Sequence, residues 1–205
     1  IRQFPRRGLL MLLGGAVVVI TLVWLSSPYL RERVTRVIDD VNNYSTNFNT
    51  AVGLRLEFWR KSAQLVSEAP VIGHGTGSIR ELFRQQASGG NPDNAVITNN
   101  PHNQILTVAL QLGAVGVLVL FVMWCTHLAA FRGPGLAAWI GLLVVVQNMI
   151  ASLFNSSLFD FTQGLGYALG VGMASAVMLR RADAALHATP DLATPSPPGY
   201  RQPAT

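Results

Sequence analysis

The residues of this chain best suited to chemistry lie in the stretch "TNNPHNQIL", positions 98–106, where one histidine stands among amides before a long apolar run. Asn100 has the side chain of an N-cap and Pro101 fits a first helical position, so the spacing predicts a helix with His102 at its second position. There the positive end of the helix dipole disfavours imidazolium and leaves a ring able to accept a proton. The free amides of a first turn also attract anions, a phosphate among them. His102 is therefore the candidate catalytic base and Asn103 a candidate substrate-binding residue. The same residues could equally do no more than satisfy a helix end at an interface.

Arg55 is the second candidate. It shares a helical stretch with Phe58 and Trp59, and a guanidinium held there can form paired hydrogen bonds to phosphate oxygens, which lysine does less well. An arginine snorkelling from an interfacial helix would look the same in sequence. Arg60 and Lys61 are adjacent and read as solvated, adding attraction for an anionic headgroup or a diphosphate. The stretch "PVIGHGTGS" alternates Gly73, Gly75 and Gly77, but no strand precedes it and no lysine closes it, so nucleotide-binding fingerprints fail and a tight turn is expected. His74, between those glycines, is a weaker candidate without a visible orienting partner. Arg80 and Arg84 read as a solvated helix face. The four histidines, His74, His102, His127 and His187, lack ligand spacing, and Asp39 directly adjoins Asp40, so neither a metal nor another cofactor is expected. No serine elbow or Cys–His pair suggests covalent catalysis. Asn155 and Asp160 fall in a short loop that could approach His102.

The elements that must position these residues follow from composition. Hydrophobic side chains make up 50% of the 205 residues, charged ones only 12%, and mean hydropathy is +0.35. Soluble domains carry about twice that charged fraction, so the chain belongs in a bilayer. Cys125 is the single cysteine and excludes an internal disulfide. The sequence pI of 10.1 comes mostly from arginines that flank apolar segments, which favours a topological role over nucleic-acid binding.

Apolar segments near 9–26, 105–128, 136–154 and 164–179, the last lengthened by Phe161 and Thr162, approach the length needed to cross a bilayer of roughly 30 Å. Arg2, Arg6 and Arg7, then Arg132, then Arg180 and Arg181 would all fall on one, cytoplasmic side. Residues 27–104 would lie outside. The expected fold is an all-α polytopic membrane protein of about four transmembrane helices plus an outer helical segment. Its parts are a first span in 1–26, an outer loop carrying the site in 27–104, three spans in 105–181 and a disordered Pro-, Ala- and Thr-rich tail in 182–205. The chain opens on Ile1 without a signal pattern and reads as a piece of a longer polypeptide.

Within the outer segment, Ser27 and Pro28 start a helix on which Leu30, Val34, Val37, Val41, Tyr44 and Phe48 recur, as in a helix lying on a membrane. A second helix over 53–68, stopped by Pro70, carries Arg55, Trp59, Ser62 and Val66 on one face. Ser78 and Glu81 form a capping-box pattern opening a short helix to Gln86, and "ASGGNPDNAVITNN" reads as a flexible loop. In the fourth span Gly166 with Gly170, and Ala168 with Gly172 and Ala176, repeat as in helix packing.

The order "GLRLEFW", "APVIGHGTGS", "PHNQILTVALQLGAVGVLVL" resembles the C-terminal half of the O-antigen ligase and polymerase superfamily of bacterial inner-membrane glycosyltransferases, over roughly residues 50–180. The matching positions are Arg55, Trp59, Pro70, Gly73, Gly75, His102 and Asn103; Gln111 departs from the glutamate many members carry. The resemblance implies the C-terminal half of a GT-C-type glycosyltransferase in the inner membrane with a periplasmic active site. It implies transfer of a glycan from undecaprenyl diphosphate to lipid A core, metal-independent and inverting. Arg55 and His102 would be catalytic, with Arg60, Asn103, Trp59 and His74 binding substrate. The implied partners are the lipid-linked glycan donor, the lipid A core acceptor, membrane lipids and the N-terminal half of the same polypeptide, with no nucleic acid. An O-antigen polymerase or a protein O-oligosaccharyltransferase would use the same residues. A carrier or flippase for a polyanionic lipid, the rival of another class, should show internal repeats or charges deep in its spans.

Overall fold

A computed structural model describes residues 6–88 and 96–187. Among them every regular element is a helix: α1 (Arg6–Ser26), α2 (Pro28–Asn42), α3 (Ala51–Glu68), α4 (Ile79–Ala87), α5 (Gln104–Ala130), α6 (Leu136–Ala151) and α7 (Phe161–His187). Arg2, half of the loop read as flexible (89–95) and the tail from 188 lie outside the described residues. The helix of α7 runs on past Arg181, so residues 182–187 are helical where a disordered tail was expected.

The entry into the outer segment is a sharp corner. The chain bends by 90° between α1 and α2. Ser27 sits between them, its hydroxyl accepting from the Leu30 amide at 3.2 Å, with Pro28 opening α2 as expected. Arg31 reaches back and donates to the carbonyls of Trp24 and Leu25, both at 2.7 Å, satisfying the last turn of α1. α2 buries none of its residues against the protein.

α3 starts under the Thr50 cap, which accepts from the Gly53 amide at 3.0 Å, and ends at Glu68 just before Pro70. Its buried residues are Gly53, Glu57, Phe58, Lys61, Ser62 and Leu65; of Arg55, Trp59, Ser62 and Val66 only Ser62 is buried, and Arg55 is exposed. Phe58 and Leu65 join Ile79 and Phe83 of α4 and Leu110 of α5 in one apolar cluster. Phe58 meets Phe83 edge-on with ring centroids 6.0 Å apart. The Ser78–Glu81 capping box does not form. Ser78 is itself helical and makes no side-chain cap, while Glu81 accepts from Arg84 and Gln85.

The second cluster joins α5, α6 and α7 through Leu120, Trp124, Phe131, Val145, Tyr167 and Ala174. Within it the Trp124 indole donates to Asn148 at 3.2 Å. The small-residue repeat on α7 is only partly a packing face. Gly170 lies against Val144, where an added Cβ would come within 3.0 Å, whereas Gly166 and Gly172 meet nothing within 4 Å. The Phe131 ring lies on Gly141, and an added Cβ there would be 2.4 Å from it. At this end of the bundle Arg181 reaches Gly135, so the turn holding Arg132 and the basic end of α7 come together.

Among the described residues α5 is the helix long and apolar enough to cross a membrane unaided; α1 with α2 passes only as a bent pair, and α6 is a shorter apolar helix. α5 is interrupted at Gly113, which has φ 62 and ψ −157. The break is mended by the segment after α3. The amides of His74 and Gly75 donate to the carbonyls of Leu110 and Gln111 at 2.8 and 2.9 Å, and the amides of Ala114 and Val115 donate to the carbonyls of Pro70 and Val71 at 2.8 and 3.2 Å. Irregular backbone inside an apolar helix is tolerated when other protein groups satisfy it in this way. The glycines are needed for contact: a Cβ on Gly73 would lie 2.5 Å from the Leu112 nitrogen and one on Gly113 would lie 2.3 Å from the Val71 carbonyl.

Candidate functional site

His102 is not inside a helix. α5 begins at Gln104, and its cap is Asn103, whose side chain accepts from the Leu106 amide at 3.0 Å. His102 precedes that cap in the left-handed region, with φ 55, a conformation few non-glycine residues adopt. The expected cap at Asn100 is replaced by a local turn in which the Asn100 Oδ1 accepts from the His102 amide at 2.8 Å. A second-position dipole argument therefore does not describe this ring.

What orients it is the loop between α6 and α7. The His102 Nδ1 lies 3.2 Å from Asn155 Oδ1, which also accepts from Asn100 Nδ2 at 3.4 Å. An amide oxygen can only accept, so Nδ1 carries a hydrogen, and in the neutral ring the lone pair is on Nε2. The Thr107 hydroxyl meets Ser156 at 2.6 Å, and the Ser156 hydroxyl donates to Asn100 Oδ1 at 2.7 Å. The same loop is tied to α5 by the Gln104 amide on the Ser152 carbonyl, 2.8 Å, and by Gln104 Oε1 accepting from the Leu158 amide, 2.9 Å. On its other side the His102 ring stacks on Phe58, centroids 6.2 Å apart at 28°. The α6–α7 loop and α3 thus fix one imidazole.

Arg55 lies one turn before Phe58 on α3, a spacing that places both on neighbouring parts of the helix surface. It is exposed and makes no hydrogen bond or ion pair among the described residues. A guanidinium without a partner among the described residues, one turn from the ring on which His102 stacks, is available to a ligand.

The other expected binding residues have structural employment. Asn103 caps α5 and also donates to the Leu153 carbonyl at 3.0 Å, so both ends of its amide are used. His74 donates through Nε2 to the Leu65 carbonyl at 2.8 Å and so pins the glycine segment to α3. Trp59 packs at the edge of the α3–α4–α5 cluster, and its indole N–H has no partner among the described residues. Arg60 holds Glu57 in a two-point pair at 2.9 and 2.6 Å. Lys61, read as solvated, is 1% exposed with its ammonium 3.4 Å from Glu57.

Glu57 is the residue that sequence reasoning passed over, although its spacing from Arg60 and Lys61 is that of helix ion pairs. Tyr44 also donates to it, joining the end of the α2 segment to α3. Burial alone would raise the Glu57 carboxyl, but hydrogen bonds from Arg60 and Tyr44 with the Lys61 charge hold it at about 2. Burial, then the Glu57 carboxylate, raises the Tyr44 phenol. This cluster clamps the end of the α2 segment to α3 and leaves the Arg60 side chain 45% exposed.

Arg80, read with Arg84 as a solvated helix face, is exposed. It lies with Asn99, Asn100, Gln111, Phe159 and Asp160 on the wall of a cleft of about 420 Å³ beside the His102 support network.

The O-antigen ligase family model matches residues 1–121 of the sequence, more than half of its length. The chain belongs to the O-antigen ligase family. Arg55 and His102 both fall in the matched region, whereas Asn155 lies beyond it. Members of the O-antigen ligase family are membrane-embedded, which agrees with the apolar span of α5. The chain is also 24% identical over 135 residues to an uncharacterized protein of Haemophilus influenzae, covering 63% of this chain. It spans 34% of that relative's length.

Proposed function

We propose that this chain is the membrane-spanning C-terminal part of a glycosyltransferase that moves an O-antigen glycan from undecaprenyl diphosphate to lipid A core at the periplasmic face of the bacterial inner membrane. α1, α5, α6 and α7 are the crossing helices, with the Arg132 and Arg181 end in the cytoplasm and the His102 end outside. The observation that carries the reading is the His102 ring, held by Asn155 and stacked on Phe58, a residue one helical turn after Arg55, which has no hydrogen bond or ion pair among the described residues.

In this reading His102 Nε2 accepts the proton of an acceptor hydroxyl as its oxygen bonds to the anomeric carbon. The bond from that carbon to the diphosphate oxygen breaks, and the charge left on the lipid diphosphate is met by Arg55. Attack opposite the leaving group inverts the anomeric centre. A lipid diphosphate already leaves readily, so charge neutralisation and base catalysis are the work required of the protein.

The test is transfer by the complete purified protein supplied with lipid diphosphate-linked glycan and lipid A core. His102→Ala should lose about a hundredfold or more in rate, the usual worth of a general base. Wild-type transfer by well-folded His102→Ala protein overturns the assignment, and product formed only with the glycan's own end as acceptor turns the reading to polymerase.

A further inference from the structure

The cleft beside His102 holds polar groups that the proposed chemistry leaves unused. Asn100 and Gln111 on its wall are internally committed: Asn100 supports His102, and Gln111 accepts from the Gly77 amide at 2.7 Å while donating to the Thr107 carbonyl at 3.2 Å. Arg80 and Asn99, by contrast, make no side-chain hydrogen bond among the described residues. Asp160 spends one carboxylate oxygen on the Gln163 amide at 2.9 Å, opening α7, and its other oxygen is uncommitted. Phe159 shows 60% of its surface next to them. Arg84, one turn along α4 from Arg80, is instead neutralised by Glu81 at 2.7 Å and does not line the cleft.

A guanidinium, an amide, a carboxylate oxygen and an exposed aromatic ring around one opening form a set for hydroxyl-rich ligands, with donors, acceptors and an apolar face together. The volume of about 420 Å³ falls within the range of small-ligand pockets. Asn100 belongs both to this wall and to the His102 support, so a sugar seated there adjoins the ring. Resting on the glycosyltransferase reading, we infer that this cleft is a saccharide subsite in which Arg80 and Asp160 grip a sugar unit, Arg80 facing an anionic substituent and Asp160 a hydroxyl.

The sugar could come from either substrate, and binding distinguishes them. The complete detergent-purified protein is titrated with two probes, the phosphorylated core oligosaccharide stripped of its acyl chains and the free O-antigen repeat oligosaccharide. One probe should bind wild-type protein. Its Kd should rise about tenfold or more in Arg80→Gln, the loss of one charge-assisted hydrogen bond, and also in Asp160→Asn, whose amide still caps α7. Arg84→Gln should bind as wild type. The probe that binds names the source, core for acceptor and repeat for donor. Equal Kd in all variants, or no binding of either sugar, overturns the subsite. Transfer lost in His102→Ala while Arg80→Gln binds normally would keep the reaction and remove only this inference.

Discussion

The His102 Nδ1 meets Asn155 Oδ1 at 3.2 Å across 53 positions of sequence, and the contact sets which nitrogen of the ring is open. Asn155 is a positioning residue acting through His102. Asn155→Ala should therefore lower kcat about tenfold or more with little change in KM for either substrate. Asn155→Asp keeps an oxygen for Nδ1 and should recover most of the loss. Steady-state kinetics on both variants check this; a KM effect without a kcat effect would make Asn155 a substrate contact.

The crossing of Gly73 and Gly113 should be the most substitution-sensitive point of the backbone. Gly113→Ala puts a Cβ 2.3 Å from the Val71 backbone at φ 62 and should cost more than about 2 kcal/mol. Gly75→Ala has a positive φ of 94 but meets nothing within 4 Å, so it should cost only about 1 kcal/mol. Thermal unfolding in detergent ranks the two, and the reverse order would mean the crossing is not closed in solution.

Arg55 is exposed and has no hydrogen bond or ion pair among the described residues, so Arg55→Ala should change stability by less than about 0.5 kcal/mol while transfer falls steeply. Arg55→Lys keeps the charge without the planar fork and should restore only part of the rate. Expression, melting temperature and transfer rate, measured together, separate a ligand-binding role from a structural one.

The Glu57 clamp predicts a particular acid response. The carboxyl is lowered from 4.5 to about 2 in the folded protein. The stability it contributes is therefore complete above pH 4.5 and is lost as pH falls towards 2. Glu57→Gln removes the carboxylate facing the buried Lys61 ammonium and should cost about 3 kcal/mol at neutral pH. It should also flatten the melting profile between pH 4.5 and 2. An unchanged profile would place the acid sensitivity elsewhere.

By itself the sequence determined the helices that rest on local signals. Ser27 with Pro28, the stop at Pro70 and the long apolar run of α5 act within a turn or two of chain; α3 and α5 lie where those signals put them, and α2 starts where expected but ends at Asn42, short of Tyr44 and Phe48. The amide-rich stretch around His102 and the arginine of "GLRLEFW" were legible too, because residue type and order carried them. The tertiary structure decided what depends on partners far along the chain. Asn155 orients His102, the glycine segment completes a helix broken at Gly113, and the exposed Arg80 shares a cleft wall with Asp160, 80 positions further along the chain. It also chose Asn103 over Asn100 as the cap of α5, because the Asn100 oxygen was taken by the His102 amide and Ser156. Each is a competition for hydrogen-bonding groups between local and distant partners, and a one-dimensional pattern records only the local side of it.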